Sequence, residues 1–148
     1  MEILAKRIRT ISPSQTLAIS AKAKAMKAGG EYVVNFGVGE PDFPTPAHIV
    51  EAGIEALRAG KTKYTPSSGL PELRKAICEK FARDNGLTYE PSQIIVSNGA
   101  KHSIFNVCYA LVGEGDEVII PAPYWLTYPE VVKTCGGVPV YVEGTKEN

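Results

Sequence analysis

Residues 93–105, Gln-Ile-Ile-Val-Ser-Asn-Gly-Ala-Lys-His-Ser-Ile-Phe, set a small-residue turn between an apolar run and a helical one. Ile94, Ile95 and Val96 predict a short buried strand. Ser97, Asn98, Gly99 and Ala100 form the turn. From Lys101 to Val112, Ile104, Val107, Cys108 and Leu111 then recur at helix spacing. A helix start leaves backbone N–H groups without intrahelical acceptors, at the positive end of the aligned peptide dipoles. Such a turn attracts an anion, commonly a phosphate. An ordinary strand-to-helix connection, with Gly99 serving only backbone geometry, fits the same residues. Neither a G-x-x-x-x-G-K-[ST] phosphate loop nor a G-x-G-x-x-G dinucleotide turn occurs in the sequence.

Three further stretches set chemically capable groups on non-periodic backbone. Gly37-Val38-Gly39-Glu40-Pro41-Asp42-Phe43-Pro44-Thr45-Pro46 is too rich in Gly and Pro for regular structure. Its prolines fix φ and remove donors, and the glycines beside Val38 let another group approach the main chain. A stiff connector and a seat for a ligand carboxylate both fit. Lys61-Thr62-Lys63-Tyr64-Thr65-Pro66 puts one aromatic hydroxyl among cations. Pro121-Ala122-Pro123-Tyr124-Trp125 follows an expected strand, at the end where open α/β sheets bind ligands. Trp125 is either core filler or, on a loop between prolines, a ring that meets a ligand. His48 and His102, the two histidines, have no zinc-type spacing around them, so no metal site is expected.

The elements that must position these groups read as follows. Ser14 caps a first helix that Gly29-Gly30 stops, with Lys22, Lys24 and Lys27 on a solvated face. Tyr32 to Phe36 reads as a short strand. Thr45 caps the next helix, with Pro46 in its first turn, Ile49, Gly53, Ala56 and Leu57 on its buried side, and Gly60 just past its end. A helix runs from Pro71 to Asn85, with Leu73, Ile77 and Phe81 toward the core and Gly86 as its stop. Glu117 to Ile120 is a second strand of the central unit, Pro129 to Cys135 a short helix, and Val138 to Val142 a third strand. The β-α-β-α-β order predicts a parallel or mixed sheet with helical cover.

The 148 residues suffice for one domain with a core, and a formal net charge of zero with pI about 6.7 argues against nucleic acid or an anionic membrane as partner. No apolar run approaches a membrane span, and the N-terminus lacks the apolar core of a signal peptide, so a cytoplasmic protein is expected. The three cysteines, Cys78, Cys108 and Cys135, form no C-x-x-C pair and fall in expected helices; they read as small buried thiols in a reducing compartment.

With Val38-Gly39-Glu40-Pro41-Asp42-Phe43, Lys61 to Thr65, Gly69-Leu70-Pro71-Glu72-Leu73-Arg74, Asn98 to Lys101 and Pro123-Tyr124-Trp125 in this order, the chain resembles the class I aminotransferases. More narrowly it is similar to the bacterial aspartate aminotransferase branch of the fold-type I enzymes, which use pyridoxal 5'-phosphate. The resemblance implies that Gly99, Ala100 and Lys101 offer the cofactor phosphate backbone N–H groups, and that Trp125 stacks on the pyridine ring. It implies that Tyr64 reaches the phosphate in a partner subunit, making the active site the product of a homodimer, and that Gly39 contacts the substrate α-carboxylate. It further assigns the Lys101 side chain, with the Ser14 and Thr16 hydroxyls, to the substrate's distal carboxylate. Relatives that accept prephenate carry Lys directly before Pro-Ser; Ser12 stands there in this chain, which counts against prephenate.

Relatives in this family are more than twice as long, and none of the lysines here lies in the motif of the family's cofactor-binding lysine. The catalytic Schiff-base lysine is therefore not expected in this chain. The sequence predicts an α/β segment of fold-type I, incomplete as supplied: residues 1–45 an N-terminal arm and connector from the small domain, residues 46–148 the start of the cofactor domain. That large domain has a mixed, mostly parallel sheet with helices on both faces. The resemblance implies that the intact enzyme moves an amino group from an acidic amino acid, aspartate, to a 2-oxoacid such as 2-oxoglutarate. A C–S lyase or decarboxylase of the same fold is one rival reading. A truncated, non-catalytic product that acts by binding a partner is the other.

Overall fold

The computed structural model describes residues 3–145. In chain order it holds α1 (Lys6–Arg9), α2 (Gln15–Ala28), α3 (Ala47–Arg58), α4 (Pro71–Asn85), a 3-10 turn (Pro91–Gln93), α5 (Ala100–Leu111), β1 (Glu117–Ala122), α6 (Thr127–Thr134) and β2 (Val138–Glu143). Residues up to Glu40 together with those from Ala100 onward form one compact unit, and Pro41–Gly99 forms a second.

The first unit is built on a β-α-β crossover. Strands β1 and β2 pair in parallel, from Glu117 opposite Val138 to Ala122 opposite Glu143, with α6 as the connection between them. Alternation decides which side chains turn inward. Ile120 on β1 and Val132 on α6 are buried, whereas Ile119, on the other face, is 68% exposed. The return into β2 passes through Gly136-Gly137. A Cβ on Gly137 would lie 2.5 Å from Val112 Cγ1 and 3.0 Å from Val132 Cγ1, so only glycine lets α5, α6 and the sheet close together here. Helix α2 starts as its sequence predicts: Ser14 Oγ accepts from the Leu17 N–H at 3.4 Å, and Gly29 caps the far end.

In the second unit α4 has the predicted bounds, with Pro71 in its first turn and Gly86 in the left-handed conformation at its C-cap. Ser68 joins this helix to the segment before α5. Its carbonyl accepts from the Val96 N–H at 3.0 Å, and its Oγ from Arg74 at 2.8 Å.

Several expectations are corrected. Tyr32–Phe36 and Ile94–Val96 are not strands, and among the described residues the sheet has two strands rather than three or more. A strand requires a paired ladder, and among the described residues these segments have none; Val96 bonds instead to the loop at Ser68. Ile94 is buried as expected, but Ile95 is 71% exposed. Helix α3 begins one residue later than predicted. Pro46, with ψ 137°, is still extended at the cap position, so Thr45 is not the cap. The apolar side of α3 is also uncovered: Leu57 is 67% exposed and Ile49 is exposed with it. Leu73 on α4 is likewise exposed, while Ile77 and Phe81 are half-buried. Helix α6 starts at Thr127, ahead of Pro129, whose missing N–H costs nothing within a first turn. Cys135 then sits at the C-cap, and all three cysteines are free and half-buried.

Candidate functional site

An open groove of about 700 Å³ lies in the first unit, between the segment entering α2, the start of α5 and the β1–α6 connection. Ser14, Thr16, Lys101 and Trp125 all line it, so four of the expected site residues, distant in sequence, meet in one cavity. Each is placed by a helix terminus or a strand end. Ser14 is the N-cap of α2 and Thr16 lies in the first turn. Lys101 lies in the first turn of α5. Trp125 stands between the C-terminal end of β1 and the start of α6, just after the cis Ala122–Pro123 peptide. The Lys101 ammonium sits 5.6 Å from the centroid of the Trp125 ring, and the indole is 48% exposed. A cation over a half-open aromatic face offers a charge for an anion and a flat surface for a planar ring.

Gly99 immediately precedes α5 with φ +80°, and a Cβ there would meet no heavy atom within 4 Å. That backbone conformation favours glycine, and the space over the turn is open. The Gly99 N–H donates to the Ser97 carbonyl at 2.9 Å, tightening the turn. The first-turn N–H groups of α5, at Ala100 and Lys101, have no acceptor within the helix. A phosphate dianion fits an open turn of this kind at a helix start. Val38 lines the groove; a Cβ built on its neighbour Gly39 would meet no heavy atom within 4 Å. Tyr64 belongs to the second unit and its side chain is fully exposed.

The groove also holds groups that sequence reasoning did not single out. Tyr124 stacks on Tyr141 of β2 with ring centroids 5.0 Å apart. Its hydroxyl is pushed above the ordinary phenol range by desolvation, then by the hydrogen bond with Tyr141 and repulsion from a Tyr141 phenolate, with Lys133 opposing. It therefore stays protonated at neutral pH and remains a donor. Glu130 and Lys133 of α6 line the same wall. Tyr124 was within the Pro-Tyr-Trp motif, but Tyr141 and Glu130 had no sequence signal beyond strand alternation and a helical surface position. Burial, and then the nearby Cys108, raise the Cys135 thiol above its ordinary value, which makes it a poor nucleophile. Among the described residues no group of His, Cys, Asp and Glu stands together in a metal-binding cluster, and no helix is long and apolar enough to cross a membrane.

The family model described as aminotransferase class I and II matches residues 31–148. The chain is 59% identical over 145 residues to an aspartate aminotransferase of Geobacillus stearothermophilus, covering 98% of this chain and 37% of that protein. It is 56% identical over 144 residues to a probable aspartate/prephenate aminotransferase of Aquifex aeolicus, covering 97% of this chain and 36% of that protein. Among solved structures, the aspartate aminotransferase of Thermus thermophilus with maleate superposes with a TM-score of 0.95 at 48% identity, over 99% of this chain and 38% of that one. The chain thus spans a little over a third of the length of the relatives it matches.

Proposed function

We infer the function from one premise: the chain belongs to the class I and II aminotransferase family. We propose that it is the N-terminal part of a pyridoxal-phosphate-dependent aminotransferase. In the whole protein this enzyme moves the amino group of aspartate to a 2-oxoacid such as 2-oxoglutarate. The observation that carries the substrate class is the meeting of Lys101, Ser14 and Thr16 in one groove beside Trp125. A lysine ammonium and two hydroxyls suit the second carboxylate of a dicarboxylic amino acid. Support comes from the Thermus relative, whose solved form is with maleate, a dicarboxylate. A lyase or a decarboxylase, and a non-catalytic binding product, are not favoured by relatives named aspartate aminotransferase.

In this reading, residues 1–45 are the arm and connector and residues 46–148 open the cofactor domain, of a cytoplasmic homodimer. Bound pyridoxal phosphate supplies an electron sink for the pair released when the amino acid's α-proton leaves. The chain's own residues bind and orient. Backbone N–H groups of Ala100 and Lys101 would hold the phosphate, joined by that of Gly99 once it leaves the Ser97 carbonyl, and the Trp125 indole would cover one face of the pyridine ring. Gly39 presents open main chain to the α-carboxylate. The Lys101 ammonium, with the Ser14 and Thr16 hydroxyls, fixes the distal carboxylate and so sets the direction in which the α-proton points. The group that moves that proton lies outside these residues. Tyr64 reaches the phosphate of the partner subunit's site.

Trp125→Ala in the full-length protein is expected to weaken cofactor retention, measured by equilibrium dialysis, by roughly 0.5–1.5 kcal/mol from lost stacking. The melting temperature without cofactor should stay nearly unchanged, because the indole is half exposed. A variant that unfolds readily, with its folded fraction binding cofactor normally, would make Trp125 a core residue instead.

Tyr64 is tested by subunit mixing. Tyr64→Phe, provided that it is severely impaired by itself, is combined with a full-length subunit inactivated at its cofactor-binding lysine. Hybrid dimers are expected to regain activity at one of their two sites. Verified hybrids that remain inactive would return Tyr64 to its own subunit's site.

A further inference from the structure

The Ser12–Thr16 segment enters the groove ahead of α2, and its main chain is fastened from the opposite wall. The Ser12 N–H donates to Glu130 Oε2 at 2.9 Å, across 118 positions of sequence. The other carboxylate oxygen, Oε1, accepts from Lys133 Nζ at 3.0 Å. The Glu130 side chain is 22% exposed, far from a freely solvated surface glutamate. Its helix is anchored on both sides of it, since Pro129 and Val132 are buried. Thr134 Oγ1 donates to the Glu130 carbonyl at 2.6 Å. A carboxylate so oriented, with one oxygen on a cation of its own helix and one on a distant main-chain N–H, makes a charge-assisted bond of defined direction. Pro13 alone separates the fastened Ser12 from Ser14, the α2 cap, and the fixed φ of proline leaves little slack between them.

We propose that Glu130 is a positioning residue for the distal-carboxylate end of the site. It clamps the Ser12 main chain and thereby sets where the Ser14 and Thr16 hydroxyls stand in the groove that Lys101 lines. The proposal rests on the reading that these three residues take the second carboxylate. Because the donor is main chain, the clamp tolerates other side chains at position 12 but requires an oxygen acceptor at position 130.

The test uses the full-length holoenzyme with Glu130→Ala, Glu130→Gln and Ser12→Pro. Glu130→Ala is expected to raise KM for aspartate about five-fold, with KM for alanine changed less than about two-fold, because it removes the Ser12 and Lys133 hydrogen bonds and leaves the Ser14 and Thr16 hydroxyls unfixed. Glu130→Gln keeps one oxygen for the Ser12 N–H but turns its amide NH2 toward Lys133, and should fall between the unsubstituted enzyme and Glu130→Ala. Ser12→Pro deletes the same donor without touching α6 and should reproduce the Glu130→Ala result. Independently of activity, deuterium exchange in the peptide spanning residues 11–17 should be faster in Glu130→Ala than in Glu130→Gln. Unchanged exchange in Glu130→Ala overturns the clamp, as does Glu130→Gln matching Glu130→Ala, or an equal rise in KM for both substrates. If the unsubstituted enzyme itself fails to prefer aspartate over alanine, the substrate reading falls instead, and the exchange experiment still decides the clamp.

Discussion

Lys101→Ala in the full-length enzyme is expected to lower kcat/KM for aspartate about thirty-fold, since a hydrogen bond to a charged group contributes about 1.5–3 kcal/mol. The same variant should lower kcat/KM for alanine by less than about three-fold, because the backbone N–H at position 101 survives the substitution. In the structure the ammonium lies 5.6 Å from the Trp125 ring centroid. At an exposed site that cation–π contact is worth only about 0.5–1 kcal/mol. An arriving carboxylate therefore outcompetes the ring for the cation, and the lysine can turn to it without a large penalty. The Ser14 and Thr16 hydroxyls remain in Lys101→Ala, which is why a residual preference for aspartate is expected. Equal losses for both substrates would mean that the side chain serves the cofactor or the fold.

The second large effect concerns residues 1–148 alone. Their solvent-accessible surface is 12516 Å². Two separately compact bodies of the sizes of these two units would expose only about 9,000 Å² in all. Large apolar side chains contribute to it: Ile95, Ile119, Leu57 and Phe36 are all largely exposed. Strand β1 pairs only with β2 among the described residues, which leaves each of the two strands an unpaired edge. Such surface drives association or partial unfolding. The isolated chain is expected to show no amino transfer, no pyridoxal phosphate absorbance that survives gel filtration, and no single cooperative melt as a monomer. A monodisperse, cooperatively melting chain that retains the cofactor would contradict this.

Local signals decided what the sequence could reveal. Ser14 and Gly29 bracket α2, and Pro71 and Gly86 bracket α4, because caps and left-handed glycines act within a turn of the residues that carry them. The β-branched runs at Val118–Ile120 and Val138–Val142 became a parallel pair, since α6 supplies the crossover between them. Ile94–Val96 and Tyr32–Phe36 have the same composition and are not strands, because strand formation depends on a neighbour that composition cannot supply. The site followed the same division. Trp125 was legible from its loop after a strand, and Lys101, Ser14 and Thr16 from the family resemblance. Glu130 was not, for its partner is a main-chain N–H 118 positions away with no mark in the sequence. Tyr141 was equally silent, an aromatic on a strand until its stacking with Tyr124 placed it in the groove wall.

The most direct test supplies the full-length protein with pyridoxal phosphate, aspartate and 2-oxoglutarate, and follows glutamate and oxaloacetate by chromatography. Equimolar formation of both, faster than with alanine as donor, is the predicted result. No amino transfer from aspartate, together with release of a thiol, pyruvate and ammonia from a thioether amino acid or of carbon dioxide from the donor, would contradict this reading.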